Sequence, residues 1–298
     1  MELIKNIAII FTSIFFESLP FLLLGAFISA CIETFVSDET LAKIIPKNKI
    51  LGSIVGIFLG FFLPACDCAV IPVSKRLLKK KIPINVAVSF MLASPIINPV
   101  VLLSTYYAFY KTNPSIFWNR FIFGILIALV IGVIMGIVFK DDKKIINSKA
   151  SCDIHKHGTK KGHKHGKMES IIHHTSEDLF EVVKYLMLGA FIASIVEVIM
   201  PRSMLTLFNN TPVLSIVILM LFAYLISLCS TSDSFVGKSL LSSFGETSIL
   251  AYLLLGPMID IKNTFVLLGN YKKKFVWILI LLIFIMVFIV SMIGGIRL

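Results

Sequence analysis

The sequence predicts an all-α integral membrane protein that crosses the bilayer about eight times. Hydrophobic residues make up 57% of its 298 residues, charged residues only 15%, and the mean hydropathy is +0.93. A soluble domain is about half apolar and about a quarter charged, so this composition excludes a soluble globular enzyme. The net charge of +11 is concentrated in a few loops, a pattern that sets membrane topology. We therefore expect membrane lipid, and no nucleic acid, as a partner.

Apolar segments of membrane-spanning length follow one another along the chain. They lie at about 4–36, 50–72, 82–110, 116–139, 179–200, 211–232, 248–269 and 274–296. The first of them resembles a signal peptide, but Glu17 and Pro20 interrupt it, so we interpret it as the first membrane helix. The third is long for one straight helix and contains Pro95, which predicts a kink or a break.

The chain divides into two membrane repeats, 1–139 and 179–298, joined by a polar loop at 140–178. Gly-Ala-Phe-Ile begins at Gly25 and again at Gly189, an offset of 164, and Glu17 aligns with Glu181 at the same offset. Such internal duplication is common in secondary transporters, whose sites lie at the repeat interface near the midplane. Parallel and inverted arrangements of the repeats both remain open. The distribution of basic residues favours a cytoplasmic N-terminus and a cytoplasmic central loop.

The most distinctive motif is PACDCAVIP at 64–72, in which two prolines bracket Cys66 and Cys68. In an α-helix, residues i and i+2 point about 200° apart, whereas in an extended segment they point to the same side. The prolines favour an unwound stretch, and paired thiolates there suit a soft metal or metalloid. The alternative is two ordinary buried cysteines, because cysteine is among the most buried residue types.

Acidic residues within apolar segments indicate a polar pathway through the membrane. A carboxylate at the bilayer centre costs roughly 2.5–3.5 kcal/mol on the insertion scale, so it is rarely placed there without a function. We expect Asp67, Glu17 and Asp233 to bind protons or a coupling ion. Purely structural alternatives are a pair between Asp260 and Lys262, and a helix-capping role for Asp233.

Two matching polar breaks interrupt the segments that we expect to contain the transport site. Ser94 to Asn98 reads SPIIN in the first half, and Gly256 to Asp260 reads GPMID in the second. Such paired breaks are the best sequence indication of a transporter site, so we expect Ser94, Asn98 and Asp260 to contact substrate. Cys229 aligns with the Cys66 region and is either a third thiolate or a core residue. Kinks that serve packing alone are the other interpretation of both breaks.

The central loop contains all six histidines of the chain and nine lysines. The repeated His-Lys-His-Gly pattern makes four of them candidate ligands for zinc, copper or nickel: His155, His157, His163 and His165. A basic, solvated linker is the alternative, since the neighbouring lysines repel cations. The sequence contains no P-loop and no hydrolase or zinc-protease motif, so we expect neither an enzyme nor a resident cofactor.

The motifs FLPACDCAVIP at 62–72, ASPIINP at 93–99 and GPMIDIKN at 256–263 resemble the bacterial predicted-permease family, which includes organoarsenical efflux permeases of the ArsP type. This resemblance covers residues 10–110 and 180–296 and implies a permease of the inner membrane. Characterised relatives export trivalent organoarsenicals, and another branch is linked to copper and zinc efflux. Carried over onto this chain, Cys66 and Cys68 are the thiol ligands of the motif, with Asp67 where the metal-linked branch has serine.

The sequence as a whole predicts export of a soft, thiol-reactive metalloid or metal by alternating access. A soft substrate is expected near Cys66, Cys68 and Cys229. Two rivals remain: a permease for an unrelated small solute that binds at the paired breaks, and a metal-efflux protein or sensor that uses the histidine-rich loop.

Overall fold

A computed structural model describes residues 2–35, 46, 48–63, 67–139, 145–146, 167–199 and 212–297. Within these ranges the chain is helical, and the only β-type pairing is an isolated bridge between Ile146 and Tyr271. The helices of the first half are α1 (Glu2–Phe35), α2 (Lys49–Phe62), α3 (Asp67–Lys79), α4 (Ile84–Ile97), α5 (Pro99–Phe109) and α6 (Pro114–Val138). Those of the second are α7 (Lys167–Ile199), α8 (Pro212–Ile226), α9 (Ser232–Leu240), α10 (Glu246–Met258), α11 (Ile261–Asn270) and α12 (Lys273–Arg297).

Six stretches of the described chain are long and apolar enough to cross a bilayer. They lie in α1, α4 with α5, α6, α7, α10 with α11, and α12, and two shorter apolar helices correspond to α2 and α8. The prediction of an all-α polytopic membrane protein is confirmed. Large apolar side chains such as Trp118, Trp277 and Leu281 are exposed on the outer helices. Exposed apolar side chains are unfavourable in water and favourable in lipid, so this surface suits contact with the bilayer.

Both predicted breaks are present, and each is built by a polar residue that caps the next helix. Asn98 has φ −56° and ψ 132°, and its side chain accepts a hydrogen bond from the backbone N–H of Val100 at 3.0 Å. Asp260, at φ −134° and ψ 176°, accepts one from the N–H of Asn263 at 2.5 Å. An extended residue ends one helix in each case, and its side-chain cap starts the next.

Two predicted segments differ from the structure. The span at 50–72 consists of two helices, α2 and α3, with Leu63 as the C-cap of α2 and Pro72 inside α3. Asp67 lies in the first turn of α3, where a carboxylate is favoured by the helix dipole, and Pro72 is buried inside the helix. Helix α7 begins at Lys167, within the region that we expected to be loop.

The two halves contain helices of matching order and length. Their first helices have 34 and 33 residues, the broken pairs have 14 plus 11 and 13 plus 10, and their last helices have 25 each. The duplication itself stays a prediction from the sequence. The halves also interlock, because α3 packs against α11, α9 against α5, and α1 against α7.

The repeated glycines bring the long first helix of each half close to a helix at the repeat interface. A Cβ atom at Gly25 would lie 2.5 Å from Cβ of Ala69 in α3, and one at Gly189 would lie 2.8 Å from the carbonyl oxygen of Lys262 in α11. Real Cβ atoms do not approach this closely. Only glycine permits these contacts without displacing a helix.

We expect Gly189→Ala to lower the free energy of unfolding by about 1–3 kcal/mol, because its methyl group forces α7 away from Lys262. Thermal unfolding of the purified protein in detergent measures the effect. Gly245→Ala is the matched control, since a Cβ there meets nothing within 4 Å. Equal unfolding temperatures for the two variants would contradict the close approach.

Candidate functional site

A small cleft lies where the two halves meet. We call it the cross-repeat cleft, and its lining residues come from α1 and α3 in the first half and from the α8–α9 loop and α11 in the second: Ile14, Glu17, Ser18, Phe21, Asp67, Cys68, Ser227, Cys229 and Lys262. Its volume is about 10 Å³, roughly the space of one water molecule. A substrate larger than water therefore requires the cleft to open.

Two free thiols line this cleft from opposite halves. Cys68 is 2% exposed, and its thiol donates to the hydroxyl of Ser18 with Sγ and Oγ 3.8 Å apart. Cys229 is half-buried, with Sγ 3.4 Å from Oγ1 of Thr231. Sulfur atoms from both halves of the chain therefore line the same cleft.

The expected extended geometry of the Cys-x-Cys motif is wrong at Asp67 and Cys68, because both belong to α3. The first turn of that helix places successive side chains about 100° apart, so Asp67 and Cys68 reach the cleft as neighbours on a helix. Cys66 lies outside the described residues.

A buried charged cluster connects the halves beside the thiols. Nζ of Lys262 lies 3.4 Å from Oδ2 of Asp67 and 3.5 Å from Oδ2 of Asp260. The amide of Asn263 donates to Oδ2 of Asp67 at 2.9 Å. Two carboxylates face one ammonium group, so the cluster has a formal charge of minus one when all three side chains are ionised. The structural pair of Asp260 with Lys262 is thus present, and Asp67 joins it from the other half.

The break before α11 determines the positions of Lys262 and Asn263. Asp260 caps α11, so Lys262 and Asn263 project from the first turn of the helix toward α3. The carbonyl oxygen of Asp260 accepts from the Thr264 hydroxyl at 2.7 Å, and that hydroxyl lies 3.0 Å from the Tyr224 hydroxyl. Oδ2 of Asp260 and Oδ1 of Asn263 are buried without a hydrogen-bond partner among the described residues, and such acceptors favour a nearby proton donor or cation.

Other residues expected at the site have different positions. The hydroxyl of Ser94 donates to the carbonyl oxygen of Leu63 at 3.3 Å, so it binds the end of α2. Asn98 caps α5, and neither residue is among the side chains that line the cross-repeat cleft. Glu17 is exposed on α1 and does line the cleft.

Asp233 belongs to a second buried cluster between the halves. The hydroxyl of Tyr252 donates to its Oδ1 at 3.0 Å. The neighbouring Ser234 hydroxyl accepts from Nη1 of Arg120 at 2.8 Å, and the Thr105 hydroxyl accepts from the same nitrogen at 2.6 Å. Helix α9 of the second half thereby contacts α5 and α6 of the first.

Sequence reasoning missed Arg120 and the role of Asn263. Arg120 is the only charged residue of α6, and a lone arginine inside an apolar span is a recognisable signal of a functional or paired group. Asn263 is an ordinary polar residue, so its contact with Asp67 could not be recognised without the fold.

A third set of contacts between the halves lies farther along α3, toward its C-terminal end. The hydroxyls of Ser74 and Tyr271 lie 2.7 Å apart, and Nζ of Lys75 donates to Oδ1 of Asn270 at 2.9 Å. Burial raises the pKa of Tyr271, so its hydroxyl stays neutral and available for this hydrogen bond. Helix α3 is therefore held by the second half at both ends.

The candidate metal ligands His155, His157, His163 and His165 lie outside the described residues. Among the residues that are described, no group of three or more His, Cys, Asp or Glu side chains is arranged to hold a metal ion. The binding of metal by the loop remains a sequence-based prediction.

Comparison with known proteins identifies the family. Residues 3–296 match the predicted permease family. The chain is 39% identical over 278 residues to UPF0718 protein YcgR of Bacillus subtilis, covering 93% of each protein. It is 38% identical over 267 residues to a Streptococcus mutans protein named a two-component membrane permease complex subunit, covering 90% of this chain and 87% of that one. No solved structure matches the chain. With a family match over nearly its whole length, this multi-pass membrane protein belongs to the predicted permease family.

Proposed function

We propose that this permease exports a soft, thiol-binding metalloid species, with trivalent organoarsenicals as the substrate class, across the cell membrane by alternating access. The observation that carries the proposal is that Cys68 and Cys229, from different halves, line one cleft. Trivalent arsenic binds thiolates strongly because both partners are soft. Motion between the halves would then bring the thiols together and separate them.

The groups around the thiols have distinct roles in this proposal. Cys66, which precedes α3 in the sequence, supplies a further thiol. Asp67 and Glu17 bind protons or balance the charge of the substrate in the cleft. Asp260 holds Lys262 beside Asp67. Ser94 and Asn98 stabilise the first break. Asp233 binds protons or a coupling ion at a position outside the cleft. The N-terminus and the histidine-rich loop lie on the cytoplasmic side of the inner membrane.

A second protein component is part of the proposal. The Streptococcus mutans relative is named a subunit of a two-component complex, and similarity over most of both chains suggests the same arrangement here. Affinity purification from membranes of the native host should then recover one companion protein at a constant ratio to this chain.

Export of trivalent methylarsenical from cells without their own arsenical exporters tests the proposed function. We expect the intact protein to lower cell-associated arsenic relative to empty vector, and Cys66→Ser to reduce the export rate by roughly tenfold or more, about 1.4 kcal/mol of binding. Cys152→Ser, in the central loop, is the control at matched expression. Equal export by all variants would contradict thiol binding, and no export by the intact protein would contradict the substrate class.

An unrelated polar solute is the second candidate, favoured by Oδ2 of Asp260 and Oδ1 of Asn263, which accept no hydrogen bond from the described residues. In that case Asn98→Ala would impair transport more than Cys66→Ser does. A metal-efflux or sensor function differs from both, because deletion of residues 152–174 would abolish it and leave a permease for organoarsenicals nearly unchanged.

A further inference from the structure

Arg120 and Asp233 are two buried groups of opposite charge that share a cluster but do not bind each other. Arg120 is 0% exposed and Asp233 is 2% exposed. Within the described part of the chain, Nη1 of Arg120 donates to Thr105 and Ser234, and the Tyr252 hydroxyl donates to Asp233. Three buried atoms have no hydrogen-bond partner among these residues: Nε and Nη2 of Arg120 and Oδ2 of Asp233.

An ionised Asp233 is poorly stabilised in this arrangement. A buried charge without its partner is strongly destabilising, and a buried pair is favourable only when its hydrogen bonds are complete. Oδ2 of Asp233 lies over Gly256, where an added Cβ would be 2.8 Å from it. A protonated carboxyl removes the charge and requires only the neutral hydroxyl of Tyr252 as neighbour.

The other acids at the repeat interface are better stabilised as anions. Asp67 has both Lys262 and the amide of Asn263 on Oδ2. Asp260 has Lys262 and the N–H of Asn263. Glu17 is exposed. Of the three buried acids Asp67, Asp260 and Asp233, only Asp233 has neither a cation nor an amide donor in contact with its carboxylate among the described residues.

Few other charged groups face Asp233 from the helices around it. Helix α5 contains none, α6 contributes Arg120, and the single acid of α10, Glu246, binds Asn113 instead. On α9 itself Lys238 is exposed. Burial disfavours the charge on Asp233 most, the positive potential of Arg120 opposes this effect, and the buried Asp67 and Asp260 add a smaller negative potential.

We propose that Asp233 is a proton-binding site between the repeats, and that Arg120 is the cation that replaces the proton in a second conformation. When the proton leaves Asp233 for water, the carboxylate accepts hydrogen bonds from Nε and Nη2 of Arg120. A small rotation of α9 against α6 changes one arrangement into the other. This inference rests on the proposed alternating access, because the two groups belong to different halves.

Infrared difference spectroscopy of the purified protein in lipid nanodiscs tests the proton site without any substrate. We expect a protonated carboxyl band that disappears as pH rises, is absent in Asp233→Asn, and persists in Glu246→Gln, the matched control on α10. In Arg120→Gln the band should persist to higher pH, because the cation that replaces the proton is missing. A band of unchanged intensity in Asp233→Asn, or no band in the intact protein, would overturn the proposal.

Thermal unfolding provides a second measurement. Arg120→Gln removes the cation of the proposed pair, and Asp233→Asn removes its acid. Their effects on the unfolding temperature should therefore not add in the double variant. Additive effects would contradict the coupling. The infrared result does not depend on arsenical export. If the protein showed the proton site but exported no arsenical, this inference would stand and only the proposed substrate would be contradicted.

Discussion

Lys262→Met should abolish transport and lower the free energy of unfolding by about 3–5 kcal/mol, the cost of leaving a buried charge without its partner. Lys262 is the cation closest to both Asp67 and Asp260, and all three side chains are buried. Methionine has a similar length and no charge, so two carboxylates would face each other across the cleft. Thermal unfolding and export at matched expression measure the two effects.

Charge compensation separates an electrostatic effect from a packing effect. Adding Asp67→Asn to Lys262→Met removes the repulsion, so the double variant should recover part of the lost stability without recovering transport. Lys238→Met is the control, because Lys238 is exposed on α9. If Lys262→Met and Lys238→Met unfolded at the same temperature, the charged cluster would not hold the halves together.

The second large effect is expected at the two thiols of the cross-repeat cleft. Cys68→Ser and Cys229→Ser should each reduce methylarsenical export by roughly tenfold or more, because a hydroxyl is a hard ligand and binds arsenic weakly. If both sulfurs hold the same arsenic atom, the double variant should be only slightly worse than either single variant, since the first substitution already breaks the bridge.

Serine keeps the size and the hydrogen-bonding capacity of cysteine, so these variants should fold normally. The thiol of Cys68 contacts the Ser18 hydroxyl, and that of Cys229 contacts the Thr231 hydroxyl. Unfolding temperatures close to that of the intact protein are the required control. Normal export by the double variant would contradict a thiol site and favour a polar solute.

Local signals in the sequence were sufficient to predict most of the apolar spans and both breaks. Apolar length identifies a membrane helix, and Asn98 and Asp260 cap the next helix by contacts within three residues. The repeated glycines at 25 and 189 were recognised as a duplication, but the structure was needed to show that each lies against a helix at the repeat interface.

Contacts between distant parts of the chain could not be predicted in the same way. Asp67 binds Lys262 and Asn263, and Arg120 shares a cluster with Asp233, only because the halves interlock. The extended geometry predicted for the Cys-x-Cys motif is wrong at Asp67 and Cys68, because α3 begins at Asp67 and contains Pro72.

Protection of the thiols from alkylation tests the central claim most directly. The intact protein in native membranes is treated with a maleimide, with and without trivalent methylarsenical, and modification of each cysteine is measured by mass spectrometry. We predict that the half-buried Cys229 reacts faster than Cys68, and that the arsenical protects both while Cys31 and Cys152 react as before. Unchanged modification of Cys68 and Cys229 in the presence of the arsenical would contradict a shared thiol site between the two halves.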